Sequence, residues 1–420
     1  MKIISTSDWH LGNLFHGNDR LDEHKHFLSW LLNQIAIAQP DVLLVAGDIY
    51  DNGNPSAKAQ EAYYRFLTDA TRLYSQMHIV IIAGNHDSAS RLEAPRALLS
   101  MHNIEVRGEI PRVWSESEKR WLINFDELVI PINSAQGEHL VVLAVPYLRN
   151  DIVQNANYSQ GVNAILHDLT NYARAKYPNW PMLMMAHMYA KGADIAKEDA
   201  SEKIIVGGQE EVSLSNWPNH PDYFTCGHIH KRQRIWGVDW ARYTGSVLPM
   251  SFAEKDYSHG VDFITINSIE NIDVQHIIYT PQHPLLILPK GDEEISPKKL
   301  AKLLIKELPD RTDGKLDDNA AYVLLKVAQD NVSNDEIKEL EDLFANKNAV
   351  LCRIQKINHA LNIHTLTGDH EVQSVDEVLN RDPMETLREA FAIKHGVEMN
   401  EQQVALLADL LSNINTDEND

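Results

Sequence analysis

Five short stretches of the sequence end an apolar run with side chains that bind metal ions or transfer protons. The clearest runs from Val42 to Ala46 and is followed by Gly47-Asp48 and then by Asp51. Apolar runs bounded by turn residues are typical of buried strands, and α/β folds carry their chemistry at strand ends. We therefore predict one metal site with Asp48 at its centre. The other four stretches supply Asp8 and His10, Asn85-His86-Asp87, His187, and His228 and His230.

The donor atoms in this set restrict the metal. Carboxylate and amide oxygens combined with imidazole nitrogens favour Mn²⁺, Fe²⁺ or Zn²⁺ over Mg²⁺ and Ca²⁺, which prefer oxygen. Because no thiolate belongs to the set, we do not expect a structural zinc site. We interpret Cys226, just before His228, as a small buried hydrophobe rather than a ligand.

Composition sets wider bounds. The chain has 420 residues, too many for most single cores, so we expect two or three domains. It has two distant cysteines and no apolar run of about 18 residues, so we expect a cytoplasmic protein without a membrane span or signal peptide. The formal net charge of −22 argues against a protein that binds DNA unaided. It leaves room for a DNA enzyme whose metals, basic loops or partner supply the positive field.

The elements that must position these side chains alternate between strands and helices. Such an alternation, followed by β-rich runs at 241–247 and 261–279, indicates an α/β (α+β) fold, a mixed β-sandwich flanked by helices. Strands are predicted at 3–7, 42–46, 79–83, 140–145, 182–186 and 223–226, and helices at 21–35, 56–75, 88–102 and 160–176.

The pattern changes after Tyr279, where 280–284 reads as a linker. A second β-α-β-α-β pattern follows, with strands at 285–288, 321–328 and 349–357 and helices at 297–307 and 333–346. The segment 375–413 carries apolar anchors at helical spacing that suit docking on a partner helix, although it could also fold back on its own chain. We predict four regions: a metal-binding domain 1–280, a small domain 281–365, a helical partner-binding segment 375–413 and a disordered acidic tail 414–420.

The order and types of these residues resemble the calcineurin-like metallophosphoesterase superfamily. More specific stretches resemble its branch of nuclease subunits from DNA double-strand-break repair complexes. The likeness is specific over 1–280 and holds in pattern to 365, where it implies a domain that caps DNA. It rests on Ser7–Gly12, Gly47–Asp51, Gly84–Ser88, Cys226–His230 and Tyr243–Phe252.

This resemblance implies a role for each candidate residue. It puts one metal on Asp8, His10, Asp48 and His230, and the other on Asp48, Asn85, His187 and His228, with Mn²⁺ the expected activator. His86 matches the catalytic histidine that stabilises developing charge or protonates the leaving oxygen. Asp51 and Asp87 are expected to support their neighbours without binding metal. Lys231, Arg232 and Arg234 are candidates for contact with DNA phosphates, or else form a solvated turn.

The implied function is a metal-dependent DNA nuclease subunit acting on duplex ends, hairpins and single strands in DNA repair, recombination and replication. It implies a heterotetramer in which the chain is a homodimer, paired through helices 56–75 and 88–102, with an ATPase that has a coiled coil. ATP dependence must come from that partner because the chain has no Gly-x-x-x-x-Gly-Lys-[Ser/Thr] loop. Two alternatives remain open: a phosphodiesterase or phosphatase of a small molecule or phosphoprotein with the same dimetal site, and a scaffold without catalysis.

Overall fold

The computed structural model describes residues 1–153, 155, 157–194, 211–215, 217–291, 295–328 and 333–357. The predicted partner-binding segment and acidic tail lie outside these ranges. The strands are β1 Lys2–Thr6, β2 Leu14–Phe15, β3 Asn18–Asp19, β4 Val42–Ala46, β5 His78–Ile82, β6 Ile104–Arg107, β7 Arg112–Ser115, β8 Arg120–Ile123, β9 Val129–Asn133, β10 His139–Val145, β11 Met182–His187, β12 Tyr223–Gly227, β13 Gln233–Arg234, β14 Ala241–Tyr243, β15 Gly260–Ser268, β16 Asn271–Ile278, β17 Leu285–Leu288, β18 Ala321–Ala328 and β19 Ala349–Ile357. The helices are α1 Leu21–Ala38, α2 Ala57–Leu73, α3 Ala89–Glu93, α4 Arg96–Leu99, α5 Asn150–Val153, α6 Tyr158–Lys176, α7 Pro297–Glu307 and α8 Asn334–Phe344, with 3₁₀ turns at Ser100–His102, Phe125–Leu128 and Phe252–Glu254.

Two six-stranded sheets pack face to face as a β-sandwich. The first has the order β16-β15-β1-β4-β5-β6 and the second β13-β14-β12-β11-β10-β9. In each sheet the central strands are parallel, and such strands are buried on both faces. This explains why every residue of Val42–Ala46 is buried. Leu44 and Val80 of the first sheet pack between the sheets against Val142 and Leu183 of the second.

Helices cover the outer faces of the sandwich. Phe27 of α1 and Phe66 of α2 share a core with Leu43 and Val45 on the outer face of the first sheet. The helix α6 packs in the same way on the second sheet, where Leu166 belongs to the core of that side. The predicted α/β fold class, a β-sandwich flanked by helices, is therefore confirmed. None of the helices within the described ranges is long and apolar enough to cross a membrane.

The predicted single helix at 88–102 is wrong. The chain there forms the short helices α3 and α4 and a 3₁₀ turn, with Pro95 between the two helices. Proline lacks an N–H and its ring clashes with the preceding turn, so a continuous helix cannot pass through it. Ser88 stands at the N-terminus of α3, but its side chain makes no capping hydrogen bond. The sequence patterns also missed β6, β9 and the β7-β8 hairpin.

The third sheet, β17-β18-β19, is parallel and carries α7 and α8 on one face. Its other face packs on the β-sandwich part of the chain. Tyr322 and Leu324 form one apolar cluster with Phe15 and Phe252, and the rings of Tyr322 and Phe15 stack at 5.3 Å. The Tyr322 hydroxyl donates a hydrogen bond of 3.0 Å to Glu23 Oε1. The small sheet is thus fastened to the sandwich by aromatic packing and a buried hydrogen bond.

Candidate metal centre

The candidate ligands follow the carboxyl ends of the central parallel strands. Asp8 comes after β1, Asp48 after β4 and Asn85 after β5, all in the first sheet. In the second sheet His187 ends β11 and His228 follows β12. Parallel strands present their carboxyl ends at one edge, so the two packed sheets bring all five side chains together.

Three overlapping groups of side chains lie close enough to hold metal ions. Asp8, His10 and His230 each offer one atom within 4.8 Å of the others, and all three are buried. A second group joins Asp8 and Asp48 to His187, and a third joins His10 and Asp48 to His86. Asp48 belongs to two groups and lies between them. It therefore has the position required of a carboxylate shared by two ions.

The shortest distances separate the candidates into two adjacent sets. Asp48 Oδ2 lies 3.6 Å from His10 Nε2 on one side and 3.3 Å from His187 Nε2 on the other. Asn85 Oδ1 lies 2.9 Å from His187 Nε2 and 3.0 Å from His228 Nδ1. The structure thus groups these side chains in the two sets that the sequence resemblance implies. Their roles as ligands stay a prediction.

The residues at this site fit divalent cations. Both ring nitrogens of His10 are buried, and neither has a hydrogen-bond partner among the described residues. Leaving such polar atoms buried and unpartnered is costly, and a metal ion would satisfy one of them. Asp8 and Asp48 add two buried carboxylates within 4.8 Å of each other, which require a compensating positive charge.

Hydrogen bonds orient two of the imidazole rings. His187 Nδ1 donates to the Ala46 carbonyl at 2.9 Å, which leaves its Nε2 facing Asp48 and Asn85. His230 Nδ1 donates to Glu254 Oε1 at 2.9 Å. Carboxylates and backbone carbonyls commonly hold metal-binding histidines in this way. Sequence analysis missed Glu254, because it lies in a 3₁₀ turn and follows no apolar strand.

Backbone strain is concentrated at the site. Asp8, His10, Asp48 and His228 have φ angles of 51°, 47°, 49° and 101°, in the left-handed region that non-glycine residues rarely occupy. Each such residue costs on the order of 1–3 kcal/mol and persists only where the surrounding structure enforces it. Gly84 serves the same packing, because a Cβ there would lie 2.1 Å from Asp48 Oδ1.

The buried charges shift one another's pKa. Burial alone would raise the pKa of Asp48, but the neighbouring His187 and His10 hold the pKa of that carboxyl well below its usual range. Burial would lower the pKa of His187, yet the Asp48 carboxylate raises that pKa to about 9. Burial and the nearby His187 lower the pKa of His228 to about 3. Without metal the site therefore contains an Asp48–His187 ion pair, and metal binding must displace the His187 proton.

Asp87 ties together the loops after β4 and β5. Its carboxylate accepts hydrogen bonds from the backbone N–H groups of Ile49, Tyr50 and Gly84 at 3.1, 3.0 and 2.9 Å. Burial and the nearby Asp48 raise the pKa of Asp87 to about 6. Asp87 thus supports the site by holding backbone.

The ring of His86 is exposed at the mouth of the site. Its Nδ1 donates to the Asp51 carbonyl at 2.8 Å, and its backbone N–H donates to Asp48 Oδ1 at 2.9 Å. The His86 ring meets the His10 ring edge-on at 4.9 Å. The Asp51 carboxylate accepts a hydrogen bond from Asn13 at 2.8 Å and lies 3.7 Å from His10 Nδ1. Asp51 therefore supports both histidines.

The three basic candidates for DNA contact are all paired with carboxylates. Arg232 Nε donates to the buried Asp262 at 2.6 Å, which favours a structural role for Arg232. Lys231 pairs with Asp194. Arg234 Nη1 lies 4.0 Å from Asp239 Oδ1, and the Arg234 side chain is 60% exposed. Arg234 is thus the most accessible of the three.

This fold and site define the chain as a metallophosphoesterase. A family model of calcineurin-like phosphoesterases matches residues 1–232. The chain is 32% identical to SbcD, the smaller component of the nuclease SbcCD, from Rhodobacter capsulatus over 322 residues, which are 74% of this chain and 77% of that protein. It is 30% identical to SbcD of Escherichia coli K12 over 308 residues (70% and 71%) and 29% identical to SbcD of Bacillus subtilis over 299 residues (68% and 71%). The chain therefore belongs to the SbcD family of calcineurin-like phosphoesterases.

Proposed function

We propose that this chain is the nuclease component of an SbcCD-type complex. It hydrolyses phosphodiester bonds of DNA, as a duplex exonuclease and as an endonuclease on hairpins and single strands. It works with an SbcC-like ATPase in DNA repair, recombination and replication, and chromosomal DNA as substrate implies a cytoplasmic location. The observation that carries this proposal is the convergence of seven candidate ligands from distant parts of the chain around Asp48.

The residues divide the chemistry among themselves. When two divalent ions are bound, with Mn²⁺ the expected metal, they polarise the phosphodiester and activate water for attack. Asp8, His10, Asp48 and His230 would hold one ion, and Asp48, Asn85, His187 and His228 the other. His86 is exposed beside these side chains, where it can reach the leaving oxygen of a bound substrate. Its Nδ1–H bond to the Asp51 carbonyl fixes the ring while Nε2 transfers the proton.

The small domain supplies a surface suited to DNA. Lys298, Lys302 and Lys306 are spaced four residues apart on α7 and are all exposed. This spacing puts them on one face of the helix, where they can contact consecutive phosphates. We propose that residues 281–365 cap DNA with this face.

Two further surfaces belong to the proposed assembly. Leu98 and Met101 are 70% and 79% exposed in the segment after β5, which supports pairing of two copies through this region. The segment 375–413 is proposed to dock on the coiled coil of the SbcC-like ATPase. Together these surfaces give a heterotetramer of two nuclease and two ATPase chains.

Cleavage of a closed DNA hairpin tests the function. The protein is incubated with Mn²⁺, with and without the SbcC-like partner and ATP, and Asp48→Ala is the control. We expect cutting that requires Asp48 and that the partner with ATP extends. Turnover of bis-p-nitrophenyl phosphate without any DNA cutting would instead indicate a small-molecule phosphodiesterase.

A further inference from the structure

Glu254 is a fully buried carboxylate with no place in the strand-end pattern. Its Oε1 accepts the Nδ1 hydrogen of His230 at 2.9 Å, and its Oε2 accepts the backbone N–H of Met250 at 2.9 Å. Both carboxylate oxygens are thus engaged, and the side chain is held from two directions. Because Nδ1 of His230 carries the proton, Nε2 is the atom that can bind a metal.

The turn that carries Glu254 also contacts the small domain. Phe252, two residues earlier in the same 3₁₀ turn, packs in one apolar cluster with Tyr322 and Leu324 of β18. The Phe252 ring also meets the Phe15 ring at 5.2 Å. A single short turn therefore joins the small domain, through Phe252, to a candidate metal ligand, through Glu254.

We propose that Glu254 is a positioning residue that orients His230 for metal binding, and that the small domain stabilises this arrangement by packing on Phe252. This inference rests on the proposed function, in which His230 binds a metal. A carboxylate behind a metal-binding histidine fixes the ring and increases the basicity of the ligating nitrogen. His230 belongs to only one of the two proposed metal positions, so Glu254 acts on that position alone.

Metal binding at equilibrium tests the proposal without turnover. Mn²⁺ is titrated into the full chain, and free Mn²⁺ is measured by electron paramagnetic resonance. We expect Glu254→Ala to weaken one of two Mn²⁺ positions by about 10- to 100-fold and to leave the other unchanged. Glu254→Gln keeps an oxygen for His230 but turns an N–H₂ group toward the Met250 N–H, so its affinity should lie between wild type and Glu254→Ala.

The small-domain limb has its own variant. Phe252→Ala keeps the Glu254 side chain and removes its packing against β18, so it should weaken the same Mn²⁺ position by less than Glu254→Ala does. Glu93→Gln is the matched control, because Glu93 also accepts backbone N–H groups, from Gly108 and Glu109, but far from the ligands. The visible spectrum of bound Co²⁺ should change in the Glu254 variants and stay unchanged in Glu93→Gln.

The outcomes separate the inference from the proposed function. Wild-type Mn²⁺ affinity in both Glu254→Ala and Glu254→Gln would overturn the positioning role while leaving the nuclease proposal intact. Unchanged binding in Phe252→Ala would overturn the contribution of the small domain. A wild-type chain that binds no Mn²⁺ would overturn the proposed function itself. Thermal unfolding in EDTA establishes that each variant is folded, and Glu254→Gln decides the question if Glu254→Ala is not.

Discussion

Replacing His86 with glutamine separates proton transfer from metal binding. The His86 ring is exposed and is held through its Nδ1 by the Asp51 carbonyl at 2.8 Å, so Nε2 is the atom placed to serve the substrate. The hydrogen bond from His86 to the buried Asp48 comes from the backbone N–H, which glutamine keeps. We therefore expect His86→Gln to bind Mn²⁺ as wild type does and to lose most of its DNA cleavage.

The size of the loss depends on the leaving group. A positioned general acid contributes about 10²- to 10⁴-fold to the rate, which corresponds to roughly 3–5 kcal/mol of barrier. The alkoxide expelled from DNA is strongly basic and needs that proton. The nitrophenolate expelled from bis-p-nitrophenyl phosphate leaves without one. His86→Gln should thus lose about 10²- to 10⁴-fold in kcat on DNA and little on the nitrophenyl ester.

The assay compares kcat for the two substrates at saturating Mn²⁺, with bound metal measured in the same samples. His102→Gln is the control, because His102 is an exposed histidine outside the metal groups. An equal loss on both substrates would refute protonation of the leaving oxygen and assign His86 to charge stabilisation. A fall in bound Mn²⁺ would show that His86 is a ligand, which its place in a group with His10 and Asp48 also allows.

Two further predictions concern stability and DNA binding. Burial and Arg20 lower the pKa of the buried His24 to about 3, so below its ordinary pKa of 6.5 the unfolded chain binds a proton that the folded chain does not. Its contribution to the free energy of unfolding should fall by about 2 kcal/mol from pH 7.5 to pH 5, and urea unfolding should show that this part of the pH dependence is absent in His24→Leu. The double variant Lys298→Glu/Lys302→Glu should bind DNA more weakly, with a slope of log affinity against log salt that is smaller by about one per lost phosphate contact. An unchanged slope would exclude α7 from the DNA interface.

Much of the site could be predicted because strand ends are visible in sequence. An apolar run such as Val42–Ala46 followed by Gly47 and Asp48 indicates both the strand and the point where it stops. Parallel pairing then brings Asp8, Asp48 and Asn85 to one edge, whatever the details of the intervening helices. Local pattern and sheet geometry were sufficient for this part.

Contacts between side chains from unrelated elements could not be predicted. Glu254 contacts His230 across 24 residues of sequence, and no periodicity links a 3₁₀ turn to a ligand after β12. Arg232 reads as a basic residue beside the site, but its partner Asp262 comes from the opposite sheet. Such pairs depend on how the two sheets pack, which a one-dimensional pattern does not contain.

The acidic charge of the chain is compatible with a DNA substrate once the charges are placed. Salt screens exposed charges beyond about 10 Å at 0.1 M ionic strength, so the formal total of −22 says little about the field at one surface. Asp8 and Asp48 are counted in that total, yet they are buried where divalent cations would offset them. The exposed lysines of α7 lie on a different element, the face proposed to meet DNA. The net charge therefore limits non-specific binding to DNA, while the metals and the α7 face determine where a phosphodiester is held.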